Sequence, residues 1–285
     1  MVASVPPYSG IFAGNRAVGR IALTIKADGD GSHRHKVHEH GALRVRFPNG
    51  ASRATLDAVM VNTAGGMTGG DSFDIDIAVG DGAGLSVTTA AAEKIYRSLA
   101  GDAAVTLALE VGAGAWLEWL PQETILFDGA RLERRSAAEV APGGRLLAGE
   151  MLVFGRRARG ERFSRGRLHD AWRVRRAGRL VWADAFRLEG DVGRLIEHPA
   201  GCDGAAALAT LFYAADDAAS WLEAARDFLQ NCACRAAATV VNGVLLARLI
   251  GREAGAVREG LAHLAASLRA AIAGLPARLP RVWAT

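Results

Sequence analysis

The sequence predicts a mainly β protein of layered antiparallel or solenoid-like sheets, with two α-helices in its C-terminal part. Three features point to it. Apolar and polar residues alternate with a period of two in many short stretches between Val18 and Phe186, the signature of half-buried strands. A repeat also runs through the middle of the chain, where Val79-Gly80-Asp81-Gly82-Ala83-Gly84-Leu85 is echoed from Val111 to Leu117 and from Val140 to Leu146. Repeats at such intervals suggest stacked β layers or an irregular β-solenoid rather than a closed barrel. Helical spacing of apolar residues appears only beyond Asp216, where alanine dominates.

Val18–Ile25 alternates loosely and is read as the first strand. Lys26–His40 is polar, carries Gly29, Gly31 and four histidines, and is read as a loop. Leu43, Val45 and Phe47 alternate with Arg44 and Arg46, so 42–47 is a strand, closed by the turn Pro48-Asn49-Gly50. The strand 54–61 feeds a loop with two Gly-Gly pairs, Gly65-Gly66 and Gly69-Gly70, ending in Asp71. Phe73, Ile75, Ile77 and Val79 then share one face of a strand, with Asp74 and Asp76 on the other. Gly80, Gly82 and Gly84 turn the chain into a short strand, 85–89, and 90–97 delivers Glu93, Lys94, Tyr96 and Arg97 together.

Each repeat unit is an alternating strand, a tight Gly turn and a return strand, and a glutamate follows each return: Glu93, Glu123 and Glu150. Pro121 interrupts the stretch 116–127. It lacks an amide donor, so it belongs at an edge or bend, and Glu123 after it is a candidate to point into a polar interior. The charge-dense stretch 156–167 separates a strand over 145–154 from one over 168–175. Gly178 turns the latter into 180–186, forming a hairpin.

Further on, 206–214 is an apolar strand. Asp216 or Asp217 caps a helix that runs to about Gln230. Asn242-Gly243 is a hairpin turn that splits 236–250 into two strands. Val257, Leu261, Leu264, Leu268 and Ile272 mark one face of a helix over 254–273, stopped by Gly274. The whole is read as one domain, 1–285, with a β-rich body over 1–200 and a mixed strand and helix part over 201–285.

Half of the residues are hydrophobic, enough for a sizeable core. No apolar run reaches the ~20 residues of a membrane span. The start, MVASVPPYSG, has no charged segment followed by an apolar block, so an unprocessed cytoplasmic protein is expected. The net charge is +4, and lysine occurs only at 26, 36 and 94. That balance is modest for nucleic-acid binding, and no recognition motif for it is present. Cys202, Cys232 and Cys234 are too few and odd in number for a disulfide framework.

The chain has no G-x-S-x-G elbow, no Cys/His signature and no G-x-x-x-x-G-K-[ST] motif. A strand follows the Gly-Gly loop, so no helix N-terminus is offered to a phosphate. Among the histidines, His38 and His40 are candidate metal ligands, since alternate residues of an extended chain share a face. Asp71, Glu93, Glu123 and Glu150 recur near the Gly turns, and stacked layers would bring some of them along one interior groove that holds a hydrated divalent ion loosely. Pairing with arginine is the alternative for each. Rival readings are a β-rich hydrolase using Asp71 and Glu123 as acid and base, and a basic nucleic-acid module built on 156–167.

The order of motifs resembles the UreD (UreH) family of urease accessory proteins. Its GG-x-x-GGD loop is matched by Gly65, Gly66, Gly69, Gly70 and Asp71. Its T-x-x-A segment is matched by Thr88, Thr89 and Ala91, and its K-x-Y-R by Lys94, Tyr96 and Arg97. Similar segments follow at Pro121, Glu123, Ile125 and Phe127, in the hairpin around Gly178, and in the tail PRVWAT. Met67-Thr68 replaces the more usual apolar pair of the Gly loop. The resemblance implies a non-enzymatic maturation factor for a nickel urease, in a dimeric higher complex. Such proteins bind apo-urease and a UreF-type scaffold, and through it a UreG-type GTPase that binds the GTP. They hold no permanent cofactor, and nickel passes through them in transit. It nominates Gly65, Gly66, Gly69, Gly70, Asp71, Thr88, Glu93, Lys94, Tyr96, Arg97 and Glu123 for the motif or ion path. On the last helix, the alanine-rich face of Ala262, Ala265, Ala266 and Ala270, with Arg269, is the candidate scaffold interface.

Overall fold

Val79, Val111 and Val140, which open the three repeat units, lie side by side in one ladder. Leu85, Leu117 and Leu146, which end them, do the same in a second ladder. The computed structural model describes residues 15–29, 31–48 and 53–284. The N-terminal ten residues and the Asn49-Gly50 turn lie outside the described residues.

The first four strands are β1 (Val18–Asp28), β2 (Gly31–Gly41), β3 (Leu43–Arg46) and β4 (Leu56–Asn62). The repeat region follows with β5 (Ser72–Val79), β6 (Gly84–Thr89), β7 (Glu93–Ile95), β8 (Ala103–Val111), β9 (Trp116–Trp119), β10 (Thr124–Leu126), β11 (Arg131–Val140) and β12 (Arg145–Phe154). The hairpin is β13 (Arg165–Arg176) and β14 (Arg179–Asp191), followed by a short helix, α1 (Val192–Glu197). The chain ends with β15 (Ala207–Ala214), α2 (Leu222–Leu229), β16 (Arg235–Val241), β17 (Val244–Gly251) and α3 (Ala254–Ala273).

Two sheets face each other. The first runs β14-β13-β11-β8-β5-β1-β2 and the second β16-β17-β15-β12-β9-β6-β4-β3, with β10 also beside β12 and β7 beside β10. Each repeat unit leaves the first sheet, turns on glycine and enters the second. Successive units therefore stack in parallel, β5 on β8 on β11 and β6 on β9 on β12. This is the solenoid-like arrangement, with antiparallel pairs confined to the flanks. Apolar residues such as Ile21, Phe73, Ile77, Leu85, Leu107 and Leu117 fill the space between the sheets. A second core, including Trp116, Leu147, Leu211, Leu249, Leu261 and Leu264, joins the second sheet to α2 and α3 as a third layer. A leucine buried from water contributes ~1.5–3 kcal/mol, so both interfaces are strong.

The polar stretch 26–40, expected as a loop, is largely strand β2. It pairs antiparallel with β1 at the edge of the first sheet. Its side chains are mostly exposed, so backbone hydrogen bonds to β1 do most to hold it, with Glu39 accepting the Val45 amide, and no apolar face is required. Helix α1 comes before Asp216 and is capped by the Asp191 carboxylate, which accepts the Arg194 amide. Asp216 and Asp217 do not cap the next helix by side chain: Asp217 accepts the Tyr213 hydroxyl and Trp221 indole, and Asp216 the Gly143 amide. Ala254–Ala273 and its Gly274 stop in the left-handed region stand as read. Among the described residues no helix is long and apolar enough to cross a membrane.

Candidate functional site

Three charged residues occupy inward positions of otherwise apolar strand faces. On β11 the inner face is Leu132, Arg134, Ser136, Ala138 and Val140. On β12 it is Leu146, Ala148, Glu150, Leu152 and Phe154, and on β13 Leu168, Asp170, Trp172 and Val174. Register then brings the charges together, since Arg134 sits directly beside Asp170. The Arg134 guanidinium donates through Nε to Asp170 at 2.8 Å and through Nη2 to both Asp170 and Glu150. Its Nη1 donates to the Thr124 hydroxyl at 3.2 Å, and the Trp172 indole donates to Glu150 at 2.9 Å.

Burial pushes the Glu150 carboxyl up to about 7. The neighbouring Asp170 charge adds to this, while Arg134 and the Trp172 bond act against it. Burial works against the charge of Arg134, but Asp170 and Glu150 outweigh it and hold the guanidinium protonated. Ser136, also inward, has a buried hydroxyl without a partner.

This cluster forms the inner end of a cavity of about 190 Å³ between the two sheets. Apolar walls come from Leu43, Phe73, Ile75, Leu107 and Trp119. The outer end is lined by Asn62, Gly65, Gly66, Ala91, Glu93 and Lys94, of which Gly65, Ala91 and Lys94 are exposed. There the Asn62 amide donates to both oxygens of Glu93, at 3.0 and 3.1 Å. Burial pushes Glu93 up to about 7, and the Asn62 bond resists the shift.

The Gly loop forms the rim and is stitched to β7. The Met67 amide donates to the Lys94 carbonyl and the Tyr96 amide to the Met67 carbonyl, each at 2.7 Å. The Tyr96 hydroxyl donates to the Gly65 carbonyl at 2.9 Å. Gly66 is required by contact as well as conformation. Its φ is +140°, and a Cβ there would lie 2.4 Å from the Tyr96 ring and 2.8 Å from the Lys94 carbonyl.

Of the nominated residues, Gly65, Gly66, Glu93 and Lys94 line the cavity, whereas Gly69, Gly70, Asp71, Thr88, Tyr96, Arg97 and Glu123 do not. Asp71 is a buried staple: its two oxygens accept the amides of Ala17 and Thr68. Arg97 holds the loop through its carbonyl, which accepts the Thr68 hydroxyl. Gly69 packs against Ser98 and the Ala100 and Gly101 carbonyls, with no room for a side chain. Thr88 faces the helix layer, where its hydroxyl accepts the Trp283 indole; the cavity residue is Thr89. Glu123 does not point inward. It accepts a bond from Arg258 of α3, so Asp71 and Glu123 do not form an acid–base pair.

His38 and His40 are exposed on β2, and among the described residues no group of three or more His, Cys, Asp or Glu is placed to hold a metal. Ala262, Ala266 and Ala270 are half-buried on α3, but Ala265 is fully buried. Arg269, expected on an accessible surface, is buried and donates to Glu118 at 2.9 Å. In the stretch 156–167 five of the six arginines face protein partners, Arg156 with Glu161, Arg157 with the Gly204 and Ala205 carbonyls, Arg162 with Glu197, Arg165 with Asp128 and Arg167 with Asp102, and Arg159 is exposed. That pairing removes the bare basic stripe a nucleic acid would need.

Asn62, Gln122, Thr124, Arg134, Asp170 and Trp172 went unforeseen as site residues, and Thr89 is read only as part of the family motif. For Arg134 and Asp170 the signal was present, as each breaks an apolar face at period two. The cavity thus has an ionisable carboxylate near each end and a fixed cation at the inner one.

The profile of the UreD urease accessory protein family matches residues 17–284. Urease accessory protein UreD of Rhodopseudomonas palustris (strain HaA2) is 46% identical over 275 residues, covering 96% of this chain and 96% of that protein. The protein of the same name from Xanthobacter autotrophicus (strain Py2) is 46% identical over 272 residues, covering 95% of this chain and 91% of that one. That from Magnetococcus marinus is 43% identical over 257 residues, covering 88% and 89%.

Proposed function

Because this chain belongs to the UreD family of urease accessory proteins, we propose that it serves urease maturation as a conduit for nickel. The proposed assembly contains apo-urease, a UreF-type scaffold and, through the scaffold, a UreG-type GTPase that binds and spends GTP. The chain itself performs no catalysis and works in the cytoplasm. Nickel is cargo in this reading, not a resident cofactor.

The observation that carries the proposal is the intersheet cavity with Glu93 at its outer end and Glu150 at its inner end. Oxygen donors bind a borderline divalent ion less firmly than imidazole or thiolate. Arg134 beside Glu150 further opposes retention, because like charges repel strongly where water is scarce. Weak donors and a nearby cation favour passage over storage. Glu93 and Glu150 gain charge as pH rises through about 7, so attraction for the ion grows over that range.

The half-exposed Ala262 and Ala266 of α3 are the proposed scaffold contact. Ala266→Arg should block scaffold capture while the chain stays folded; capture that persists would remove α3 from the interface.

The test of the main proposal is urease activity and nickel content in cells carrying the urease operon with this gene deleted. Urease should accumulate without nickel, and the wild-type gene should restore it. The double variant Glu93→Gln, Glu150→Gln should restore soluble accessory protein but little nickel. Full nickel loading without the gene would sink the maturation role. Full loading by the double variant would sink the passage alone.

A further inference from the structure

The thiols of Cys232 and Cys234 lie 3.2 Å apart in the link between α2 and β16. Both residues are half-buried, and Cys232 borders two surface concavities, one of them shared with Cys234. The space they occupy is provided by Gly260, inside α3. A Cβ at that position would come within 2.4 Å of the Cys232 sulfur and 3.6 Å of the Cys234 sulfur. Glycine weakens a helix interior, and its place here is explained by the Cys232 sulfur and the Leu249 side chain, 2.8 Å from the same Cβ position, packed against it.

With metal–sulfur bonds of about 2.3 Å, two sulfurs 3.2 Å apart are within reach of one shared ion.

We propose that Cys232 and Cys234 form a dithiolate docking site for a thiophilic divalent ion, nickel in the setting of the function proposed above. Two S–H bonds are replaced by two metal–sulfur bonds, and two protons pass to water. The identity of the ion rests on that functional reading; the proximity of the two thiols does not. Among the described residues no third His, Cys, Asp or Glu is placed to complete a metal site, so the remaining positions fall to water or to a docked protein. That suits a station that hands its ion on. Each thiol must lose its proton to bind the ion, so binding strengthens as pH rises.

The experiment adds nickel chloride to the full-length chain, reduced with a phosphine. A near-ultraviolet thiolate-to-nickel charge-transfer band should appear with one nickel per chain and release two protons. Cys232→Ser and Cys234→Ser should each abolish it, while Cys202→Ser should keep it. Gly260→Ala, whose methyl group displaces the Cys232 sulfur, should weaken binding by roughly tenfold or more, as disturbed support of a metal ligand does. Nickel binding without the band, or a band that survives both serine variants, overturns the proposal. So does oxidation by a small-molecule disulfide to a Cys232–Cys234 disulfide in a chain whose reduced form retains no nickel; the pair is then a redox couple. The readout is nickel on the isolated chain, so its failure leaves the cavity to be judged by urease loading, and a failed cavity leaves this site standing.

Discussion

The Arg134 guanidinium donates to the Glu150 carboxylate at 2.9 Å across the space between the two sheets. It also holds Asp170 beside it, so one cation serves two buried carboxylates. Removing one partner of a buried ion pair leaves an uncompensated charge and costs about 3–5 kcal/mol. Arg134→Met should therefore be strongly destabilised in urea unfolding at pH 8. The loss should shrink near pH 5, where Glu150 is protonated. An equal loss at both pH values would place the cost in Asp170 and packing rather than in Glu150.

Glu93 gives a second pH dependence. Its carboxyl is raised from 4.5 to about 7 in the folded chain, chiefly by burial. The folded state then binds more protons than the unfolded state between those values. The resulting stability is complete below about 4.5 and lost as pH rises through about 7. Glu93→Gln, which cannot ionise, should be more stable than wild type at pH 8, by an amount of order 2 kcal/mol. The two should converge near pH 4.5. Parallel pH curves for wild type and variant would show that Glu93 titrates normally.

The rim of the cavity depends on contact between Gly66 and Tyr96. Gly66→Ala adds a methyl group 2.4 Å from the ring at a φ of +140°, so the loop must move. We expect a loss of about 1–3 kcal/mol from backbone strain alone. Removing the ring with Tyr96→Ala should relieve the clash but not the strain, so the double variant should lose less than the sum. Strict additivity in thermal unfolding would place the whole cost in the backbone.

How far the sequence discloses this architecture depends on the environment of each strand. Where one face meets the core and the other does not, as in β5 with Phe73, Ile75, Ile77 and Val79 inward, period two gives the strand and its faces. Where both faces are covered, it gives the strand only. β6 lies between the intersheet core and the helix layer and is buried at five of its six positions. Alternation is thus erased, and Thr88 could not be told from Thr89. β2 is the opposite case, an edge strand exposed on both faces whose polar sequence resembles a loop. The repeat of Val79, Val111 and Val140 disclosed the stacking. Whether each Gly turn closes a hairpin or crosses between sheets is decided by packing, which pairs the valines in parallel. Arg134 and Glu150 were legible as charges on apolar faces, but their meeting depends on which sheets face each other.

Arg269 and Glu118 provide the last prediction, because the structure moves Arg269 from a surface to the seam between α3 and the second sheet. Its Nε donates to Glu118, and its Nη1 donates to the carbonyls of Pro276 and Arg278, pinning the segment after α3. The second oxygen of Glu118 is buried without a partner, so the pair is incompletely satisfied. Arg269→Met should cost about 3–5 kcal/mol, since Glu118 would be left charged and dry. Glu118→Leu alone should also destabilise, by stranding the guanidinium. The double variant Glu118→Leu, Arg269→Met removes both charges and should recover at least half of the summed loss, because neighbours in one ion pair are not additive. A double variant as unstable as the sum would mean that the two side chains act independently. An Arg269→Met chain of wild-type stability would return this arginine to the surface.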